Sequence, residues 1–202
     1  GGFLSILNQT LLNVALSSFM EIFKVTTTTV QWLSTGFMLV NGILIPITAF
    51  LMKRFSTRQL FMSSMLLLLS GSIICAIAPS FTFLLMGRMI QAAGAGIIMP
   101  LMMSVVMFIF PPDKRGSAMG LLGLAMIFAP AIAPTLSGIV IDYLSWRWLF
   151  IGMIPLVSIV ILLAFKYLVN VSEGSKAKLD IVSVTLSTLG FGFVLFGFSS
   201  AG

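Results

Sequence analysis

The sequence predicts an all-α fold, a polytopic bundle of membrane-spanning helices, and two observations support this prediction. The first is composition: 59% of the 202 residues are hydrophobic and only 8% are charged, which excludes a water-soluble globule of this length. The second is that apolar stretches of about 20 residues, enough for a helix to cross the hydrocarbon core, recur along the whole chain. They lack the apolar/polar alternation of a membrane β-barrel, so each segment must satisfy its own backbone hydrogen bonds as a helix.

Seven stretches qualify as spans, and their order gives the expected domains. The candidates are residues 3–20, 32–52, 60–78, 82–109, 117–141, 147–168 and 181–201. Residues 169–179, VNVSEGSKAKL, are rich in Ser, Gly, Lys and Glu and are expected to form a linker. We therefore expect a six-helix bundle over residues 1–168 and a seventh helix within residues 180–202. Because the chain begins Gly1-Gly2 without methionine and ends as the seventh span finishes, we expect a fragment of a longer protein.

The first two spans carry polar side chains at helical spacing. The first span is barely long enough to cross, and Gln9 and Asn13 share one of its faces, close to Asn8. The second span has a polar face whose three members lie seven residues apart: Ser34, Asn41 and Thr48. Polar faces on neighbouring helices predict a wet cavity between them.

The third span contains Cys75, the only cysteine of the chain, and there is no histidine. A single cysteine excludes an internal disulfide framework, and without histidine we expect neither a metal site nor a bound cofactor. No carboxylate pair, nucleophile motif or soluble phosphate-binding loop accompanies the apolar segments. The sequence therefore gives no basis for an enzyme.

The fourth span contains one arginine in a run that is otherwise mostly apolar or small. Counted from the start of the span at 1.5 Å per residue, Arg88 lies roughly 10 Å along the helix, where a charge costs about 2.5 to 3.5 kcal/mol on insertion scales. Its side chain either snorkels to the outer headgroups or turns inward among polar groups. Gln91 follows on nearly the same face and favours the inward site, for which Asn8, Asn13 and Asn41 are the expected partners.

The fifth span combines small residues at a spacing of four with two prolines. Small residues let helix backbones approach closely in lipid, and each proline removes a backbone hydrogen bond and permits bending. Plain helix packing is one explanation of this face. The other is a gating helix that bends against a partner, through Ala129, Pro130, Ala133, Pro134 and Gly138.

The net charge of +6 is distributed as the positive-inside rule requires. If the N-terminus is cytoplasmic, eight basic residues fall on the inner side: Lys53, Arg54, Arg58, Lys114, Arg115, Lys166, Lys176 and Lys178. Only Lys24 and Arg147 fall outside, where Trp32, Tyr143, Trp146 and Trp148 are expected to form an interfacial belt. The basic residues therefore indicate orientation in a lipid bilayer, and we expect no nucleic-acid partner.

Several of these segments resemble the major facilitator superfamily. LLMGRMIQAAGAG in the fourth span is similar to its R-x-x-Q-G-x-G-A pattern, and AMIFAPAIAPTLSG in the fifth resembles its antiporter motif. SWRWLFIGMIP resembles the W-R-W-x-F-x-x-x-x-P sequence of the EmrB/QacA-type drug:proton antiporters, which have fourteen helices. LNQTLLNVAL and FPPDKRGSAMG are similar to the lincomycin-resistance branch of that group, and LDIVSV resembles the first of its two extra central helices.

The resemblance implies an N-terminal six-helix bundle plus one extra helix, with the C-terminal bundle of the same transporter missing. It implies a multi-pass protein of the bacterial cell membrane that exports lipophilic or amphipathic compounds against proton entry by alternating access. In the family the matching arginine, Arg88 here, is tied to proton transfer. Two alternatives stay open: a carrier of the same fold for a specific metabolite, and a truncated, non-transporting assembly or regulatory protein.

The chain departs from the family pattern at acidic positions. The loop AFLMKRFSTR keeps Arg54 and Arg58 of G-x-L-x-D-R-x-G-R-R but has Lys53 in place of the aspartate. Asn8 likewise replaces the aspartate of L-D-x-T in the first span. We therefore expect the main proton carrier in the missing half. Asp142 is the weaker candidate, an outer acid whose alternative role is an interfacial pair with Arg147.

Overall fold

The structure, a computed structural model, describes residues 1–170 together with residues 186, 190 and 197. Residues 1–170 contain helices and short connections and no strand, so the prediction of an all-α fold is confirmed. The helices are α1 (Gly2–Phe23), α2 (Thr27–Arg54), α3 (Thr57–Ala76), α4 (Phe81–Ile109), α5 (Pro112–Tyr143), α6 (Arg147–Ile151) and α7 (Met153–Tyr167). The predicted seventh span and nearly all of the predicted linker lie outside the described residues.

Six segments of the described chain are long and apolar enough to cross a membrane, as the sequence predicts. Five of them are α1 to α5, and the sixth, Arg147–Tyr167, comprises α6 and α7. Gly152 joins these two helices with helical backbone angles (φ −63°, ψ −27°). The interruption has a local cause, because Pro155 has no N–H to donate to the carbonyl of Ile151 four residues earlier.

Sequence signals at the helix ends explain where several spans begin. The Thr26 side chain accepts a hydrogen bond from the Thr29 backbone N–H at the start of α2. Ser56 and Gln59 form a reciprocal capping box at the start of α3, an arrangement that satisfies two otherwise unpaired backbone donors. Pro112 stands in the first turn of α5, where its missing N–H removes no helical hydrogen bond.

The bundle is built around α4, which contacts α1, α2, α3 and α5. Glycines allow the closest of these contacts. A Cβ atom on Gly71 of α3 would lie 2.7 Å from the Gly87 carbonyl oxygen of α4, and one on Gly94 would lie 2.5 Å from the Ser64 carbonyl oxygen. On the other side of α4, a Cβ atom on Gly96 would lie 3.0 Å from the Asn41 carbonyl oxygen of α2. Side chains at these positions would force the helices apart.

An aromatic cluster closes the end of the bundle where α1 ends and α6 begins. Trp146 packs edge-on against Phe19, with ring centroids 5.3 Å apart, and also against Phe23 and Phe150. Only 5% of Trp146 is exposed, so its assignment to an interfacial belt was wrong. The sequence pattern places this tryptophan at the membrane boundary but does not say which way its helix is rotated.

Candidate functional site

Arg88 lies in the second turn of α4 and is buried among helices. Its relative exposure is 1%, and it is among the largest fully buried side chains of the described residues. The snorkelling alternative does not describe this geometry, because a snorkelling guanidinium ends in the polar headgroups. A buried ionised group needs hydrogen-bonding partners to offset its lost hydration.

Three helices contribute to a hydrogen-bond chain that begins at Arg88. Its Nη1 donates to Asn8 Oδ1 of α1 at 2.6 Å and to Gln91 Oε1 at 2.9 Å, with a longer contact of 3.4 Å to the Asn8 carbonyl oxygen. Gln91 Nε2 in turn donates to Ser72 Oγ of α3 at 2.9 Å. Ser72 Oγ donates to the Leu68 carbonyl oxygen at 2.7 Å, which ends the chain on backbone.

The second helix contributes an aromatic ring instead of a hydrogen bond. The guanidinium carbon of Arg88 lies 4.4 Å from the centroid of the Phe37 ring, within the range of a cation–π interaction. Phe37 is itself 1% exposed, so little water screens this contact. Arg88 and Gln91 of α4 thus meet one side chain from each of α1, α2 and α3; these five residues are called the arginine network below.

Sequence reasoning missed Phe37 and Ser72. A signal for Phe37 was present, because it falls between Ser34 and Asn41 at helical spacing and therefore on the polar face of the second span. No signal separates Ser72 from the other serines of the third span. Ser72 reaches Gln91 because the neighbouring Gly71 lets α3 approach α4: a Cβ atom on Gly71 would lie 2.5 Å from Gln91 Cγ.

The arginine network carries a positive charge without a carboxylate in it. All the hydrogen-bond partners of Arg88 in the described part of the chain are neutral. The described acids, Glu21, Asp113 and Asp142, are exposed and lie near the ends of α1 and α5. Within residues 1–170, the guanidinium of Arg88 is therefore stabilised by neutral hydrogen-bond acceptors and by the ring of Phe37.

Two of the three predicted partners of Arg88 are placed elsewhere. Asn13 is exposed, and its Oδ1 accepts a hydrogen bond from Ser34 Oγ at 3.1 Å, which links α1 to α2. Asn41 is half-buried, and its backbone packs beside Gly96. Of the predicted asparagines, Asn8 is the one that bonds to Arg88 in the described structure.

The structure divides the predicted gating residues into two groups. Ala129 and Ala133 are buried on the face of α5 that packs against α1 of the same bundle, where Ser137 Oγ donates to the Leu11 carbonyl oxygen at 2.8 Å. Pro130 and Pro134, each next to one of these alanines in the chain, are exposed. Gly138 is half-buried, and a Cβ atom built on it meets nothing within 4 Å.

The loop arginines and the outer acid lie at opposite ends of the bundle. Arg58 donates through Nη2 to the Phe165 carbonyl oxygen, and its guanidinium lies 5.2 Å from the Phe165 ring centroid, which ties α3 to the end of α7. Arg54 is exposed at the end of α2. At the other end Asp142 is exposed, while Arg147 donates to the Ala78 carbonyl oxygen at 3.1 Å and stacks on Trp146.

The six apolar spans of the described residues, one of which carries a buried arginine, define a multi-pass helical membrane protein. The chain belongs to the Major Facilitator Superfamily, whose family model matches residues 1–201. This confirms the family that the motifs of the fourth, fifth and sixth spans indicate.

Named relatives and a solved structure agree with this assignment. The chain is 48% identical over 201 residues to the lincomycin resistance protein LmrB of Bacillus subtilis, covering 100% of this chain and 43% of the relative. It is 35% identical over 191 residues to the multidrug export protein EmrB of Haemophilus influenzae, covering 94% of this chain and 38% of that relative. A crystal structure of a peptide transporter POT matches with a TM-score of 0.77 at 14% identity, covering 99% of this chain and 44% of that one. The chain thus spans less than half the length of these proteins, and the last comparison shows the fold alone.

Proposed function

We propose that the chain is the N-terminal half of a proton-coupled multidrug efflux transporter that exports lipophilic or amphipathic compounds by alternating access. The observation that carries the proposal is the buried Arg88, held between α1 and α4 in a bundle of six spans. Ionisable groups inside membrane bundles are costly and occur mainly where they act on ions, protons or substrates. A purely structural helix contact needs no guanidinium.

The proposed role of the arginine network is to present a fixed positive charge to the inside of the transporter. Since Asn8, Gln91 and Ser72 are neutral, none of them cancels this charge. An acid that approaches Arg88 during the cycle is favoured in its ionised form, and so releases its proton. We place that acid in the C-terminal bundle, with Asp142 as the weaker candidate.

A methionine-lined pocket supports a lipophilic substrate. It has a volume of about 200 Å³ and lies between α4 and α5, beside the start of α1. Its lining is apolar and includes five methionines: Met99, Met102, Met103, Met119 and Met126. Unbranched, polarisable thioether side chains adapt to apolar molecules of different shape, as a transporter of many compounds requires. The names of two relatives refer to lincomycin resistance and to multidrug export, which supports a drug as the exported compound.

The proposed architecture follows the expected domains. Residues 1–168 form the N-terminal bundle, residues 169–179 a cytoplasmic linker, and residues 180–202 the first extra central helix; the C-terminal bundle of the same transporter completes the cavity. The N-terminus is cytoplasmic in a bacterial cell membrane. The basic side chains at the α2–α3 and α4–α5 connections support this orientation.

The test is an accumulation assay with the full-length protein in a bacterial host that lacks its own major efflux pumps. We expect cells that express the protein to accumulate less lincomycin and less of a lipophilic dye than vector controls. An uncoupler that collapses the proton gradient should abolish the difference. Export of a single polar metabolite with no effect on either compound would instead favour the specific carrier.

A further inference from the structure

The charge of Arg88 has no counter-ion among the described residues. Its side-chain contacts are with Asn8, Gln91 and the Phe37 ring, all uncharged. Hydrogen bonds distribute a positive charge but do not cancel it, and a net charge inside a low-dielectric bundle carries a large solvation cost. An anion beside the guanidinium removes most of this cost.

Two buried polar atoms, one on Arg88 and one on the face of α1 that carries Asn8, have no hydrogen-bond partner. Arg88 Nε is buried without a hydrogen-bond partner, and so is Ser5 Oγ of α1. Ser5 precedes Asn8 by three residues and therefore lies on the same face of α1, while Arg88 bonds to Asn8 from α4. Buried polar groups in proteins are almost always paired with protein or with a bound species. Arg88 Nε therefore has a free donor inside the bundle, and Ser5 Oγ offers a second polar atom on the face of α1 that carries Asn8.

The size and charge of the occupant follow from the surroundings. With Arg88 only 1% exposed, a drug-sized carboxylate has no access to Nε while the bundle keeps this conformation. A water molecule at Nε would leave the charge uncancelled. We propose that Arg88 binds a small monovalent anion, such as chloride, as its counter-ion between α1 and α4, next to Asn8 and Ser5. The bound anion is distinct from the exported compound, and the acid that is proposed to approach Arg88 during the cycle would displace it.

The experiment compares thermal unfolding of the purified full-length protein in sodium chloride and in sodium gluconate at equal ionic strength, so that general screening is matched. A ligand that binds the folded state raises the midpoint temperature of unfolding. We expect chloride to raise this temperature by about 2 to 4 °C. Gluconate serves as the comparison because it is a much larger anion than chloride. Equal midpoints in the two salts would overturn the proposal and leave water, or another part of the protein, as the partner of Arg88.

Three variants separate the site from general salt effects. Asn8→Asp supplies a permanent carboxylate beside Arg88, so the midpoint should rise in gluconate and the chloride effect should disappear. Ser17→Asp adds the same charge to an exposed position of α1 and should keep the chloride effect. Arg88→Gln removes the charge and should abolish the rise of the unfolding midpoint in chloride. If this variant does not fold, the result for Asn8→Asp decides whether the anion site exists. A chloride effect of wild-type size in Asn8→Asp would refute the anion site.

Discussion

At the scale of single residues, the contacts of Arg88 offset part of the cost of burying it. A hydrogen bond to a charged group contributes about 1.5 to 3 kcal/mol, and a desolvated cation–π contact contributes up to about 2 kcal/mol. Asn8 and Gln91 provide the hydrogen bonds, and Phe37 provides the ring. Together these are of the same order as the cost of about 2.5 to 3.5 kcal/mol that insertion scales give for an arginine in the centre of a span. These contacts hold the side chain in place and leave its charge uncancelled among the described residues.

This leads to a prediction about the charge at position 88. We expect Arg88→Ala in the full-length protein to insert normally but to lose efflux, because no other cation lies among the residues that contact it. Arg88→Lys should recover part of the activity, since an ammonium keeps the charge but cannot reproduce the planar contacts. Gln91→Ala should do milder damage. Dye efflux at matched protein abundance is the measurement, and wild-type efflux from Arg88→Ala would assign Arg88 to packing.

At the scale of helices, the contact between α3 and α4 determines whether the arginine network can form. A Cβ atom on Gly71 would lie within 2.8 Å of three atoms of α4, two of them backbone. Ser72, the next residue, supplies the acceptor for Gln91. Because Gly71 has no side chain, α3 and α4 can approach closely. This close approach places Ser72 within hydrogen-bonding distance of Gln91.

We expect Gly71→Val to destabilise the protein by about 1 to 3 kcal/mol, as overpacking of a close contact typically does. The matched control is Gly120→Val, because a Cβ atom on Gly120 of α5 meets nothing within 4 Å. Both changes put the same β-branched residue into a helix, so their propensity costs are alike. The measurement is the midpoint of thermal unfolding of the two purified variants. Equal midpoints would mean that α3 and α4 can move apart without loss of stability.

The gating prediction for α5 rests on its unpacked side. Ala129 and Ala133 are occupied by contact with α1, whereas Gly138 has room for a side chain within this bundle. We expect Gly138→Leu to leave abundance and thermal stability close to wild type and to block efflux, because leucine would obstruct the approach of a helix from the other bundle. Normal efflux in this variant would leave α5 without a gating function at Gly138.

How far the sequence predicts the molecule differs between elements and side chains. Hydropathy alone locates the six described spans, because burial in lipid requires about 20 apolar residues in a row whatever their neighbours are. The depth of Arg88 in its span likewise predicts a costly, inward position. Its partners depend on helix rotation, which a sequence pattern does not specify; Asn13 and Asn41 therefore looked equivalent to Asn8, yet they contact Ser34 and the Gly96 region instead.

At the scale of the whole molecule, the described bundle exposes a large apolar surface, which must be covered by lipid or by another part of the protein. Exposed large apolar side chains are numerous on α5 and α7, among them Leu121, Ile127 and Leu162. Some of this area suits lipid, but a transport cavity requires a second wall. The relatives LmrB and EmrB are more than twice as long as this chain, which covers 43% and 38% of them.

We therefore expect residues 1–202, produced alone and placed in lipid vesicles, to insert as helices and to show no transport. The missing wall, and the acid proposed to reside in it, are the physical reasons. The measurement is uptake of a lipophilic dye under an imposed proton gradient, with vesicles of the full-length protein as the positive control. Gradient-driven uptake by the shorter chain would contradict the proposal that two bundles form the cavity.

The position of Arg88 in α4 also bears on the order in which the chain is synthesised and inserted. Asn8, Phe37 and Ser72 belong to α1, α2 and α3, so all three leave the ribosome before α4 does. When the arginine enters the bilayer, its partners are already present, and the segment does not have to rest alone in hydrocarbon. The same residues at the end of the chain would leave Arg88 unpaired while the remaining helices were being translated. The contacts from α1, α2 and α3 thus precede the charge in the chain, and Gln91 follows it by three residues within α4.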